Sequence, residues 1–154
     1  MAGPHDVATL TTLLGRVPEA DFEVVVRDEN DAPVVVRNAP FTSDGTPMPT
    51  RYWLVGRQVS AAVSRIEATG GVHAAQGAVA ADALQAAHDA YAAERDAEIA
   101  SDHEGPRPSG GVGGTRTGVK CLHAHYAWFL AGGDDPVGAW VHAKLEAAIV
   151  GPSE

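Results

Sequence analysis

The sequence predicts an α+β fold: a small antiparallel sheet, made of a hairpin plus one strand, covered by three to four helices. Three observations predict it. Two β-branched runs, Phe22 to Arg27 and Pro33 to Arg37, flank the polar cluster Asp28-Glu29-Asn30-Asp31, which is the pattern of a β-hairpin. Apolar residues recur at helical spacing from 58 to 69, and an alanine-rich stretch runs from 81 to 99. Asp135-Pro136 places a capping residue and a first-turn proline ahead of the stripe Val137, Trp140, Val141, Leu145, Ala148 and Ile149.

The elements follow in order. Asp6 is the expected cap of a helix over 7–14, and Gly15 its stop. The hairpin comes next. A lone hairpin is marginal in water, so helices or a further strand must cover it. Residues 38–50 are rich in Pro, Gly, Ser and Asp and read as an ordered loop; 51–55 reads as a third strand. Gly70-Gly71 ends the helix over 58–69. Within the helix over 81–99, the run Glu94-Arg95-Asp96 is expected on a solvated face. A Gly/Pro-rich ordered loop over 102–117 leads to a helix over 119–130. Residues 151–154 are expected to form a flexible C-terminus. The whole, 1–154, fits one domain.

Charge and composition exclude several roles. With 20 acidic and 11 basic residues the chain carries −9, which repels phosphate backbones and anionic membrane surfaces, so neither nucleic acid nor membrane is an expected partner. No apolar run approaches the ~20 residues that span a bilayer. The first residues are polar with no apolar stretch after them, and the expected compartment is the cytoplasm. Cys121 is the one cysteine, so no disulfide forms within the chain.

Chemistry-bearing residues concentrate between Ser109 and Tyr126. Gly110-Gly-Val-Gly-Gly114 precedes a helix start, where backbone N–H groups and the helix dipole favour an anion. It lacks the Gly-Lys-Ser/Thr ending of a phosphate-binding loop and follows no strand. The anion reading takes Arg107, Gly113, Gly114, Arg116 and Lys120 as contacts for a small, phosphorylated ligand, with Arg51 and Trp53 lining the same pocket. Cys121-Leu-His123-Ala-His125 supplies ligand types suited to zinc or iron. On a regular helix Cys121 and His125 share a face and His123 points away. The metal reading therefore takes Cys121 and His125 with His103 from the loop, and His123 joins only if the helix starts later. A third reading makes Cys121 a nucleophile with His125 as its base. The bland alternative is that Cys121 and His125 pack in the core. A non-catalytic partner-binding module stands beside these readings.

The strings Asn38-Ala-Pro-Phe, Asp44 to Leu54, Ser64-Arg-Ile-Glu67 and above all Gly118-Val-Lys-Cys-Leu-His-Ala-His-Tyr-Ala127 resemble the bacterial family called domain of unknown function 501. The resemblance covers roughly Gly15 to Leu145 and implies a cytoplasmic bacterial, actinobacterial-looking protein. Some relatives carry a septum-formation label, which ties the partner-binding reading to cell division. No activity comes with the family. The resemblance also implies further cysteines around the hairpin and the Trp-Leu segment, where this chain has Val, Arg and Val55-Gly56. That departure favours roles needing only Cys121 and the histidines.

Overall fold

A computed structural model describes residues 3–150, with only the backbone of 149 and 150. The C-terminus expected to be flexible lies outside the described residues. Strand β1 (Ala20–Arg27) pairs with β2 (Pro33–Thr42), and β3 (Tyr52–Leu54) pairs with the far side of β2, giving an antiparallel sheet of order β1-β2-β3. The connecting turn is local chemistry: Asp28 Oδ1 accepts from the N–H groups of Asn30 and Ala32, at 2.8 and 2.9 Å. β2 runs on through Asn38–Thr42, where a loop was expected, because β1 reaches far enough for Ala20 to face Thr42.

Six α-helices are found among the described residues, more than the three to four expected: α1 (Pro4–Leu14), α2 (Arg57–Ala68), α3 (Gly71–Ala78), α4 (Ala81–Asp96), α5 (Leu122–Leu130) and α6 (Pro136–Val150). α3 was hidden by Gly70-Gly71. Gly70, at φ +84, turns the chain left-handed, and Gly71 opens the next helix instead of ending the structure. α1 starts earlier than expected, and Asp6 pairs with Arg27 at 2.9 Å instead of capping. Asp135 does cap α6, its Oδ1 accepting from Val137 and Gly138 N–H.

The sheet is covered on both faces because its strands alternate. Val36 packs with Leu10, Phe22 and Val55 toward α1. Val35 and Tyr52 pack the other way, with Tyr91 of α4 and Ala127 and Trp128 of α5. A second helical core joins Val63, Leu84, Leu122, Tyr126, Val137 and Val141. α5 is buried on nearly every side, which its unbroken apolar sequence requires.

The expected solvated run in α4 is corrected at Arg95, which is 1% exposed. Its Nη1 donates to the carbonyls of Pro49 (3.1 Å) and Gly110 (2.9 Å), tying two loops to α4. His88 does the same one level along. Its Nδ1 accepts from Val112 N–H at 3.0 Å, and its Nε2 reaches the Gly118 carbonyl at 2.8 Å. That approach needs Gly111, where a Cβ would lie 2.5 Å from the His88 ring. The glycine-rich segment is thus held by buried polar side chains, and it delivers the chain to Cys121 in a fixed position.

Candidate functional site

The site depends on where α5 begins. The helix starts at Leu122, three residues later than expected, because the backbone before it is committed elsewhere. Gly118 turns at φ +66, and Val119 N–H donates to Gln76 Oε1 at 2.9 Å. Leu122 N–H donates to Glu67 Oε2 at 2.8 Å, so a carboxylate from α2 occupies the positive end of α5. Cys121 is therefore the residue before the helix, extended at φ −149 and ψ 123, and the four-residue helical spacing to His125 does not apply to it.

His123 takes the place foreseen for His125. Its Nδ1 lies 3.7 Å from Cys121 Sγ and 3.3 Å from Glu67 Oε1. Its Nε2 lies 3.0 Å from the Ser60 carbonyl and 3.1 Å from Ser64 Oγ. A carbonyl only accepts, so Nε2 carries a proton and donates it to Ser60, which fixes the ring. Among the described residues, Glu67, Cys121 and His123 form a group whose three donor atoms lie within 4.8 Å of one another.

Three electron-pair donors this close repel one another, and without a metal a proton on His123 Nδ1 relieves that repulsion. The hydrogen bond to Cys121 pushes His123 up to about 9, with burial opposing and the Ser60 carbonyl helping. Burial pushes the Cys121 thiol up, but the bond to His123, the Ala124 N–H and the imidazolium charge outweigh it and hold the thiol below its usual range. The expected consequence in metal-free protein is alkylation of Cys121 by iodoacetamide that persists to lower pH than for a free thiol near 8.5. His123→Ala leaves burial dominant, raises the thiol pKa and slows the reaction at pH 7. Equal pH profiles for the two proteins would refute the pairing.

A cavity of about 300 Å³ opens beside this group. Its walls are Trp53, Leu54 and Val55 at the edge strand and Leu14 at the end of α1. Cys121, His123 and Lys120 close one end, and Gly113 brings the 112–114 turn alongside. Trp53, Gly113, Lys120, Cys121 and His123 thus line one cavity.

Other expected contacts lie elsewhere. Arg51 is buried against Glu94 (2.8 Å) and Glu98 (3.5 Å), so its charge is already matched. Arg116 is exposed over a separate groove beside Arg95 and Asp89. Arg107 is exposed, its guanidinium 3.5 Å from the His103 carbonyl. Gly114 lies against Pro49. His103 stacks on Phe41 with ring centroids 4.4 Å apart. His125 is fully buried and its Nδ1–H donates to Asp135 Oδ2 at 2.7 Å, so it serves the core and stands outside the Glu67 group.

Glu67, Ser60 and Ser64 were not foreseen as site residues. Their signal was present: positions 60, 64 and 67 follow helical spacing and share one side of α2.

Residues 24–143 match the family described as protein of unknown function DUF501. The chain belongs to the DUF501 family. The matched span contains the whole Glu67–Cys121–His123 group and the edge strand beside it. No curated protein and no solved structure matches this DUF501 chain. Among its described residues no helix is long and apolar enough to cross a membrane.

Proposed function

We propose that Glu67, Cys121 and His123 hold a zinc ion in a site of the catalytic type, whose fourth position faces the cavity, and that the protein is a metal-dependent hydrolase. One observation carries this reading: Cys121 and Glu67 both approach the same ring nitrogen, His123 Nδ1. In a nucleophile–base–carboxylate relay, the carboxylate binds the nitrogen opposite the nucleophile. Here that far nitrogen goes to a backbone carbonyl, the usual outer support of a metal-bound histidine.

The separations agree with a shared ion. Zinc–ligand lengths of ~2.0–2.3 Å at tetrahedral angles put sulfur and nitrogen about 3.6 Å apart and nitrogen and oxygen about 3.3 Å apart. The observed values are 3.7 and 3.3 Å. Thiolate plus imidazole favours zinc over iron as the first candidate. Three protein ligands and an open position are the pattern that activates water near neutral pH, whereas a structural zinc takes four protein ligands.

Elemental analysis of untagged protein tests the proposal. About one equivalent of zinc is expected in the wild type and none in Cys121→Ser or His123→Ala. A wild type that neither carries nor takes up zinc overturns the metal reading and leaves the same residues as a thiolate–imidazolium nucleophile.

A further inference from the structure

The cavity also specifies what the site acts on. We infer that it takes an apolar acyl group of on the order of ten non-hydrogen atoms, whose hydrolysis releases a carboxylate held by Lys120; this rests on the zinc reading for the chemistry, though not for the binding. The size follows from volume: about 300 Å³ lies at the small end of ligand pockets, which span ~300–1,000 Å³. The apolar character follows from the walls, where Leu14, Trp53, Leu54, Val55 and Ala124 outnumber the hydroxyl-bearing Thr50 and Tyr52.

The charge follows from a contrast. The chain carries −9, yet no aspartate or glutamate lines this cavity, and Lys120 is its only permanently cationic lining residue. Tyr52 also lines it, but its hydroxyl is engaged by Glu94 at 2.7 Å. A monoanion in the cavity neutralises the Lys120 charge. Among the basic residues expected to contact an anion, Lys120 alone lines this cavity, so one anionic group is matched to one lysine.

The reaction balances without a further reagent. Activated water adds to the acyl carbon of R–CO–X, the C–X bond breaks, and X departs with one water proton. The second proton leaves as the acid ionises. No atom changes oxidation state overall. The product carboxylate then faces the ammonium of Lys120.

Binding of octanoate and of octanamide, equal in size and differing in charge, tests this by calorimetry on metal-free wild type and Lys120→Glu. Lys120 is exposed, so the variant is expected to fold. Octanoate should bind the wild type more tightly than octanamide, and Lys120→Glu should weaken octanoate roughly tenfold while sparing the amide. Equal affinity for the two probes, or an unchanged variant, overturns the inference. So does inorganic phosphate competing as well as octanoate, since the apolar walls would then contribute nothing. Zinc content measured on the same preparations separates the two readings. Charge-dependent octanoate binding by a protein that takes no zinc retains the cavity assignment and removes the hydrolytic step. Zinc uptake without charge-dependent binding retains the metal and overturns the cavity assignment.

Discussion

Arg95→Met is expected to lower the stability of the protein by about 2–4 kcal/mol. The guanidinium is 1% exposed and gives two hydrogen bonds from Nη1, to Pro49 and Gly110, and one from Nε to Asp96 at 2.9 Å. Hydrogen bonds from a charged donor contribute ~1.5–3 kcal/mol each. Methionine fills similar space with no donor, so both loop carbonyls lose their partner. Relief from burying the charge offsets part of the loss, which is why the expected total falls below the sum of the bonds. Native domains keep only ~5–15 kcal/mol, so a shift of this size is read easily as a lower urea midpoint. Arg95→Lys should recover only part of the loss, because lysine has no Nε–H to hold Asp96 while its terminal nitrogen meets the two loop carbonyls. A midpoint unchanged in Arg95→Met would show that the loops hold themselves.

The loss would reach the site. Pro49 leads into the strand that carries Trp53, and Gly110 opens the segment that carries Gly113 and Cys121. Arg95 thus joins the two walls of the cavity to α4, although its own hydrogen bonds go to Pro49, Gly110 and Asp96 and to none of Glu67, Cys121 and His123. That role was invisible in the sequence for a physical reason. Glu94-Arg95-Asp96 has the composition of a wet helix face, and only the two loops folding over α4 make one of its three members a buried tie.

Other parts were legible because they are local. The hairpin shows in two β-branched runs and a polar turn, and α6 in Asp135-Pro136 and its apolar stripe. Both patterns are complete within a few residues of chain. α3 was not legible, since two glycines are as good at restarting a helix as at stopping one. The site was legible as a region. Cysteine, histidine and lysine cluster on either side of the α5 start. Which histidine joins Cys121 depends on a helix boundary, however, and that boundary is set by Glu67 and Gln76 from distant helices. The later start leaves Cys121 on extended backbone before α5, so the ~100° per residue of a helix does not relate it to His125, and His123 lies beside it instead.

Zinc should raise the thermal midpoint of the wild type, and this increment assigns the ligands. A ligand that binds only the folded chain stabilises by about 2.7 kcal/mol at a hundred times its dissociation constant. For a chain of this length that is roughly 5–10 °C. Cys121→Ser, His123→Ala and Glu67→Gln should each abolish most of the increment. Glu67→Gln is the informative member. Glutamine keeps an acceptor for Leu122 N–H, so the start of α5 stays capped while the anionic ligand is gone. Ser64→Ala removes one support of the His123 ring, 3.1 Å from Nε2, and should weaken zinc about tenfold without abolishing it. His103→Ala should leave the increment intact, because His103 stacks on Phe41 in another part of the molecule. Loss of the increment in His103→Ala, or its survival in Cys121→Ser, would place the metal away from Glu67, Cys121 and His123. A graded series with Glu67, Cys121 and His123 at the bottom, Ser64 between and His103 at wild type has one simple reading: a single ion at the focus of the three donor atoms.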